Sequence, residues 1–363
     1  MPTVALDVTP LLGQRTGIGV AVAGFVDHLA GRPGLDLVGY GLTARAWRAV
    51  ASHLPAGARA RSRPAPARLL IDAWRRWDWP PGEWWTGPAD LVHGTNFVVP
   101  PSSRARRLVS VWDLTALHRP DLCTPTSRMY PLLVSRAVDS GAWVHTASRH
   151  VAGEVATHFG VDPDRIKIVP PGIPASVPTR SRGGGPPYVL ALGRTEPRKD
   201  LPTLIRSFDL LADDLPELEL CIAGPPGWAE DQVRRAAGES PFAARIRRVG
   251  WVDDAGALLA GASAFAYPSL YEGFGIPPLE AMACGVPVVA TAVGSIPETV
   301  GPAAELVPPG DPVSLAGALR RVLEDGTRRA ELVRAGLDRA RAYSWPAAAD
   351  AMERAYRDVL SGT

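Results

Sequence analysis

The sequence predicts an α/β protein of two domains, each built on a parallel sheet. Its 363 residues are more than one domain usually holds. Short apolar segments that suit buried strands alternate with segments of helical period, which is the pattern of parallel α/β sheets. The pattern restarts with the strand YVLALGR after a stretch rich in Gly, Pro and Arg. We therefore predict an N-terminal domain over 1–175, a linker over 176–187, a second domain over 188–345 and a terminal helix over 346–363.

The stretch from Tyr267 to Thr291, YPSLYEGFGIPPLEAMACGVPVVAT, holds one repeat of such a sheet. Its apolar start predicts a strand. The loop that follows ends at Pro277 and Pro278, which suit the first turn of a helix. Gly285 ends that helix, and VPVVAT is the next strand. Because such sheets bind ligands at the carboxyl ends of their strands, the loop before this helix is the predicted site.

Two carboxylates, Glu272 and Glu280, flank the predicted start of this helix. The N–H groups of Phe274, Gly275 and Ile276 lie between them, and free N–H groups at a helix N-terminus favour an anion such as phosphate. One carboxylate would then bind a sugar on one side of the phosphate, and the other a ribose on the far side. The alternative is that the acidic residues only offset the helix dipole.

The segment EGFGIPPLE, from Glu272 to Glu280, resembles the signature of the retaining nucleotide-sugar glycosyltransferases of family 4. That family has the GT-B architecture, in which two Rossmann-like parallel-sheet domains face a central cleft. The resemblance implies that Glu272 is catalytic at the donor sugar and that Glu280 binds the ribose. It also implies that Phe274, Gly275 and Ile276 contact the donor diphosphate and that the terminal helix crosses back onto the N-terminal domain.

A basic pair follows the first strand of the second half, in GRTEPRKDLPTLIRSF, where Arg194 and Lys199 are five positions apart. The same resemblance implies that both bind the donor diphosphate. The residues themselves point the same way, because the only other lysine of the chain is Lys167. A compact ammonium at the end of a strand would offset phosphate charge. The alternative is a solvated basic turn.

The N-terminal half begins with a strand over Val4–Val8, followed by the loop PLLGQRTGIGV and a helix that starts near Val20. Glycines between a strand and a helix favour close approach of a phosphate or sugar. Val22 breaks the G-x-G-x-x-G pattern of dinucleotide sites. We assign Gly17 and Gly19 to diphosphate binding, because the resemblance makes this loop a lip of the cleft.

Two further strand ends carry polar residues, His93 and Asn96 after ADLVHG, and Asp113 with His118 after RLVSVW. The family usually has His-Asp where this chain has Trp112 and Asp113, and that His contacts the donor sugar. The resemblance therefore implies that Asp113 is catalytic and suffices, or that another residue such as His118 or His93 supplies the missing contact. Contacts with acceptor or sugar are predicted for the four other side chains of these loops, which are His93, Asn96, Trp112 and His118. Lone histidines are also often structural.

The segment IDAWRRWDWPPGEWW holds five tryptophans in twelve residues and follows an Arg-, Ala- and Pro-rich stretch, 56–68, that suits a surface loop. Three interpretations stay open. The indoles could pack helix and loop together, they could form a platform for a sugar, lipid or aglycone acceptor, or they could contact an anionic membrane surface with the help of the arginines.

The amino-acid composition narrows the classes of function that this protein can have. A net charge of +2 does not suggest nucleic-acid binding. The three cysteines, Cys123, Cys221 and Cys284, are far apart and suit buried thiols in a reducing compartment. The N-terminus lacks the features of a signal peptide, and no apolar run approaches the roughly 20 residues of a membrane helix. We therefore expect a cytoplasmic protein with at most weak peripheral membrane contact.

Taken together, these features predict a retaining, metal-independent hexosyltransferase without a cofactor. It would move a hexose from a nucleoside-diphosphate sugar to a hydroxyl of a glycan, a lipid-linked sugar or a small molecule. Among donors, GDP-mannose is placed first, before dTDP-rhamnose and UDP-hexoses. On one helix the two glutamates would lie about 12 Å apart, whereas a retaining glycosidase needs about 5 Å. A non-catalytic nucleotide-sugar-binding protein and a sugar-nucleotide 2-epimerase remain the alternatives.

Overall fold

The computed structural model describes residues 1–14, 17–61, 63–174, 185–252 and 255–362. Contacts within the chain divide it into two compact units. The first unit comprises residues 1–172 and 345–363, and the second unit comprises residues 173–344. Most of the predicted linker, 176–184, lies outside the described residues. The terminal helix is thus part of the first unit, although it follows the second along the chain.

The first unit is built on a parallel sheet with the strand order β3-β2-β1-β4-β5-β6-β7. Its strands are β1 (Thr3–Asp7), β2 (Asp36–Tyr40), β3 (Ala58–Arg61), β4 (Leu91–Gly94), β5 (Arg106–Val111), β6 (Trp143–Thr146) and β7 (Ile166–Ile168). Its α-helices are α1 (Gly17–Leu29), α2 (Ala67–Arg76), α3 (Glu83–Thr86), α4 (Thr115–His118), α5 (Tyr130–Asp139), α6 (Arg149–Phe159) and α14 (Trp345–Ser361). The strand order reverses direction between β1 and β4.

The second unit is built on a parallel sheet with the order β10-β9-β8-β11-β12-β13. Its strands are β8 (Tyr188–Leu192), β9 (Glu219–Ala223), β10 (Ile246–Gly250), β11 (Ala264–Tyr267), β12 (Val288–Thr291) and β13 (Ala304–Val307). Its helices are α7 (Leu201–Ala212), α8 (Glu230–Glu239), α9 (Ala255–Gly261), α10 (Ile276–Ala283), α11 (Ile296–Val300), α12 (Pro312–Glu324) and α13 (Gly326–Arg341). Buried Leu204, Phe208 and Leu319 belong to its core. Here the order reverses between β8 and β11, so the loops after these two strands form the switch point where such sheets bind ligands.

Two local predictions in the first unit were wrong. The predicted surface loop at 56–68 contains β3, an edge strand paired only with β2. Its ARAR sequence lacks an apolar face because an edge strand can expose its side chains, and charged residues there discourage pairing with other chains. The glycine loop is shorter than predicted, since α1 already begins at Gly17, and Gly19 is buried within its first turn.

A chain of buried hydrogen bonds joins the sheet of the first unit to its last helix, α14. Tyr356 donates its hydroxyl to His93 Nδ1 at 2.8 Å, and His93 Nε2 donates to Ser110 Oγ at 2.8 Å. Ser110 donates to His145 Nδ1 at 2.8 Å, and His145 Nε2 donates to the carbonyl of Val169 at 2.9 Å. These donor assignments follow from the carbonyl, which can only accept. Burial lowers the pKa of both histidines, that of His145 to about 4, so both rings are neutral near pH 7.

No helix among the described residues combines the length and the apolar content that crossing a membrane requires.

Two buried tyrosines of the first unit allow a matched test of this network. Tyr356→Phe should lower the free energy of unfolding by about 1–2 kcal/mol, because the buried His93 Nδ1 loses its donor. Tyr40 is equally buried, but its hydroxyl has no hydrogen-bond partner in the described structure. Tyr40→Phe should therefore be neutral or stabilising. Urea titration followed by circular dichroism measures both, and equal losses in the two variants would contradict the network.

Candidate active site

The loop after β8 places a row of polar residues at the switch point of the second unit. Gly193 has a φ of 146°, and a Cβ on the neighbouring Gly224 would lie only 2.0 Å from the Gly193 carbonyl oxygen. Thr195 then fixes the loop, since its hydroxyl donates to Glu230 at 2.7 Å and accepts from the N–H of Gly227 at 2.6 Å. A short turn over 197–199 carries the basic residues into α7.

Lys199 points from this turn towards the loop after β11. Its Nζ lies 2.7 Å from Glu272 Oε1 and 2.8 Å from the hydroxyl of Tyr267, the last residue of β11. The same ammonium lies 4.5 Å from the centre of the Tyr267 ring. Burial lowers the pKa of Lys199 despite the nearby Glu272 carboxylate. Lys199 therefore uses two of its three ammonium hydrogens in contacts with described residues.

Glu272 is a buried carboxylate held by two cations. Arg198 Nη1 lies 2.5 Å from its Oε2 and 3.1 Å from the carbonyl oxygen of Tyr271, while Lys199 binds its Oε1. Burial raises the pKa of Glu272, but Arg198 and Lys199 together outweigh that effect and lower the pKa to about 2. The carboxylate is therefore ionised throughout the neutral range, and its orientation is fixed from two sides.

The backbone of Glu272 is held from the loop after β12. Its carbonyl oxygen accepts from the N–H of Ser295 at 3.0 Å and from the Ser295 hydroxyl at 3.2 Å. A Cβ on Gly294 would lie 2.2 Å from that oxygen, so the contact requires glycine. The site loop is thus supported by three strand ends, those of β8, β11 and β12.

Helix α10 begins where the sequence predicted an anion site. Gly275, at its N-terminus, has a φ of 103°, and a Cβ there would meet Ile296 at 2.7 Å. The N–H groups of Phe274, Gly275 and Ile276 donate to no acceptor among the described residues. The ring of Phe274 is buried edge-to-face against Tyr343, with ring centres 5.5 Å apart, and holds the loop.

The side chains of Glu280 and Arg194, unlike that of Glu272, have no close polar contacts within the described structure. Glu280 lies in the second turn of α10, partly exposed, and its carboxyl group has no ion pair or hydrogen bond among the described residues. Desolvation raises its pKa to about 7. The guanidinium of Arg194 has only long contacts, 3.5 Å to the carbonyl of Pro226 and 4.0 Å to Glu196. Both side chains can therefore take up a ligand without breaking a strong internal bond.

The first unit buries two of the predicted sugar contacts. Both ring nitrogens of His93 are used in the network described above. Trp112 is also buried, and its indole N–H donates to the carbonyl of Thr95 at 2.7 Å. Neither side chain has a free polar group in this structure, so the geometry does not support these two contacts with a sugar.

Most of the other predicted residues of the first unit lie nearer to solvent. Asp113 is partly exposed, and its Oδ1 accepts from the N–H of Thr115 at 2.9 Å. Asn96 is partly exposed as well. His118 ends α4 and lies 2.8 Å from Glu154 Oε1. Gly17 is exposed at the start of α1, and Gly19 is buried in its first turn.

Three site residues were missed by sequence reasoning, Arg198, Tyr267 and Ser295. Tyr267 could have been found, because it is the last residue of a strand at the switch point. Arg198 stands next to the predicted Lys199 but looks like one more arginine of an arginine-rich chain. Ser295 carries no local signal, since its role depends on a carbonyl 23 residues away. Among the described residues, no group of three or more His, Cys, Asp or Glu side chains has the arrangement of a metal site.

The raised pKa of Glu280 predicts a pH-dependent cost in stability. Its pKa is about 7 in the folded protein and near 4.5 when unfolded, so the native state holds a proton that the unfolded state has lost between these values. The Glu280 contribution to stability therefore falls as pH rises from 4.5 to 7. Glu280→Gln should be more stable than the wild type by about 1–3 kcal/mol at pH 8, with the difference shrinking towards pH 4.5. Calorimetric unfolding at both pH values measures this, with Glu239→Gln on the surface as control. A pH-independent difference would contradict it.

Comparisons with known proteins indicate the family of this chain. A family profile described as "Glycosyl transferases group 1" matches residues 178–339. The O-antigen chain mannosyltransferase B of Escherichia coli is 31% identical over 272 residues, which are 70% of this chain and 71% of that protein. Sucrose-phosphate synthase from Thermosynechococcus elongatus has a TM-score of 0.75 at 19% identity, with all of both chains covered. HepE of Anabaena, in complex with UDP and glucose, has a TM-score of 0.76 at 16% identity and covers 99% of this chain and 100% of its own.

The two solved structures match this chain over at least 99% of its length, and the Escherichia coli relative matches most of both sequences. The chain therefore has the GT-B fold and belongs to the group 1 family of glycosyl transferases, as the resemblance to family 4 implied.

Proposed function

We propose that this glycosyltransferase moves a hexose, with retention of anomeric configuration, from a nucleoside-diphosphate sugar to an acceptor hydroxyl. The observation that carries the proposal is the switch point of the second unit. There Lys199, the loosely held Arg194 and the free N–H groups before α10 offer positive charge beside the fixed carboxylate of Glu272. Cations and a helix N-terminus suit a diphosphate.

In the proposed reaction, the bond between the anomeric carbon and the diphosphate oxygen breaks, and the oxygen keeps the electron pair. Arg194, Lys199 and the helix N–H groups stabilise the charge that develops on this leaving group. The acceptor oxygen forms the new bond to the anomeric carbon on the same face of the sugar, and its proton passes to the departing diphosphate oxygen. Because these fixed charges meet the leaving group, the scheme needs no metal and no cofactor.

Glu272 and Glu280 take different parts in this scheme. Glu272 keeps lone pairs free beside its two cations, so it can accept hydrogen bonds from sugar hydroxyls and stabilise positive charge at the anomeric carbon. Glu280, in the second turn of α10, accepts hydrogen bonds from the ribose hydroxyls. Asp113, Asn96, His118, Gly17 and Gly19, all in the first unit, stay predictions from the resemblance.

The donor and acceptor are proposed from relatives. GDP-mannose comes first because the relative from Escherichia coli is named a mannosyltransferase. UDP-hexoses follow, since the HepE structure contains UDP and glucose, and dTDP-rhamnose comes after them. The acceptor hydroxyl would belong to a glycan, a lipid-linked sugar or a small molecule, and the reaction would take place in the cytoplasm.

Removal of either predicted phosphate ligand should weaken nucleotide binding. Charge-assisted hydrogen bonds contribute about 1.5–3 kcal/mol, so Lys199→Ala and Arg194→Ala should each raise the Kd for the bound nucleoside diphosphate roughly 10- to 100-fold. Calorimetric titration with GDP, UDP and dTDP identifies the base and measures the loss. Lys167→Ala is the matched control, because the only other lysine of the chain lies in the first unit.

Because the side chain of Arg194 has only long internal contacts, Arg194→Ala should fold like the wild type. A loss of affinity in this variant therefore reports nucleotide binding and not misfolding. Wild-type affinity in both variants would refute the phosphate assignment.

Substitutions of the two glutamates should change different kinetic parameters of sugar transfer. Glu272→Gln should lower kcat on the order of 100-fold, as losing one preorganised electrostatic contact does. Glu280→Gln should mainly raise KM for the donor, because its hydrogen bond is equal in ground and transition states. Steady-state kinetics with nucleotide sugars measures both, with exposed Glu239→Gln as control.

Full kcat in Glu272→Gln with a large loss in Glu280→Gln would reverse the assignment. Nucleotide release from an N-acetylhexosamine donor without any acceptor would indicate an epimerase. Tight nucleotide binding without turnover of any donor would indicate a binding protein.

A further inference from the structure

The tryptophan-rich segment of the first unit exposes a concentrated apolar surface. We name it the tryptophan patch and define it by four side chains, which are Leu69 (72% exposed), Trp77 (59%), Trp79 (63%) and Trp84 (53%). Thirteen large hydrophobic side chains are exposed among the described residues, and these four fall within sixteen positions. Exposed apolar surface on this scale indicates a partner rather than chance.

Two buried indoles hold the exposed ones in place. The N–H of Trp74 donates to the carbonyl of Pro80 at 2.8 Å, and that of Trp85 donates to Pro64 at 3.0 Å. Trp84 contacts Trp85, with ring centres 5.9 Å apart. From the sequence, the tryptophans could either pack the segment or form an exposed binding surface, and in the structure some are buried while others are exposed. Trp74 and Trp85 pack the segment, while the remaining three face solvent.

The outer indoles also form a contact of their own. Trp79 and Trp84 lie edge-to-face with centres 6.1 Å apart. The indole N–H groups of Trp77, Trp79 and Trp84 donate to no described acceptor. An apolar ring with a free polar N–H suits the boundary between lipid and water, where tryptophan is enriched.

Helix α5 extends the patch and adds charge. Arg136 of α5 lies 3.5 Å from Asp78, which stands between Trp77 and Trp79 in the sequence. Leu132 is 56% exposed and precedes Arg136 by one helical turn, so both lie on the same side of α5.

The charges around the patch are predominantly positive. Its two exposed acids are both paired, Asp78 with Arg136 and Asp72 with both Arg75 and Arg76. Arg63 and Arg68 have no carboxylate partner within the described structure. Five arginines therefore lie near three acids, the third of which, Glu83, is partly buried and accepts from Ser102 at 2.6 Å, a balance that favours an anionic surface.

We propose that the tryptophan patch is a docking surface for an anionic lipid membrane. The indoles enter the interfacial layer of the bilayer, and the arginines contact lipid headgroups. This partner fits better than a soluble sugar, because each indole has more than half of its surface exposed and none is enclosed by other side chains. Sites for small ligands are concave and cover most of the ligand.

Vesicle sedimentation tests the proposal with the full chain and no donor or acceptor present. The wild type should bind vesicles of equal parts phosphatidylcholine and phosphatidylglycerol, more weakly at high salt, and bind phosphatidylcholine alone poorly. The triple variant Trp77→Ala/Trp79→Ala/Trp84→Ala should bind the anionic vesicles at least about ten-fold more weakly. Arg63→Gln/Arg68→Gln should lose about ten-fold on anionic vesicles only.

The matched control is Leu210→Ala/Trp228→Ala, which removes exposed apolar side chains from the second unit and should bind like the wild type. All variants change exposed residues, and their nucleotide affinity, measured separately, reports folding and tests the proposed function independently. Three results would overturn the proposal. They are equal vesicle binding by the triple variant and the wild type, a dimer in light scattering that the triple variant loses, and binding of a soluble mannose oligosaccharide that depends on the three indoles without vesicle binding.

Discussion

The ion pairs of Glu272 with Arg198 and Lys199 join the two loops on which the site of the second unit depends. One loop leaves β8 and the other leaves β11, which are neighbours at the reversal of strand order. A carboxylate as buried as Glu272 is unstable without cations, so neither loop can keep its shape unless the other is in place. The same contacts hold the ammonium of Lys199 at the junction of the two loops, so one set of ion pairs determines both the charge and the shape of the site.

Glu272 and Glu280, eight positions apart, have pKa values shifted in opposite directions. Two cations lower the pKa of Glu272 to about 2, whereas burial without a partner raises that of Glu280 to about 7. Environments that separate the pKa values of two carboxylates typically separate their roles. Glu272 carries a fixed charge, while the carboxyl group of Glu280 has no ion pair or hydrogen bond within the described part of the chain. The cost in stability of leaving it unpaired is the kind that functional sites carry.

The repeating pattern of strand, loop and helix made the α/β class and the switch-point loops predictable, because local periodicity determines both. The edge strand β3 could not be predicted, because its charged ARAR sequence has no apolar face. This segment forms a strand through its pairing with β2. The glycines at 17 and 19 look like loop residues, yet they begin a helix. In the site, the motif identified Lys199 and Glu272, but not that they pair with each other or that Arg198 joins them. Such partnerships arise between residues more than 70 positions apart and leave no local trace.

Trp112, which the sequence suggested as a contact for sugar or acceptor, is instead buried in the core of the first unit. The family pattern places a histidine there, whereas this chain has an indole whose N–H is satisfied by the carbonyl of Thr95. Because that bond is buried, Trp112 fixes the strand end and offers nothing polar to a substrate. Its neighbour Asp113 uses Oδ1 to hold the first turn of α4, and it remains partly exposed with Oδ2 free of any described partner. Of these two adjacent residues, only Asp113 keeps a side-chain oxygen without a partner in the described part of the first unit.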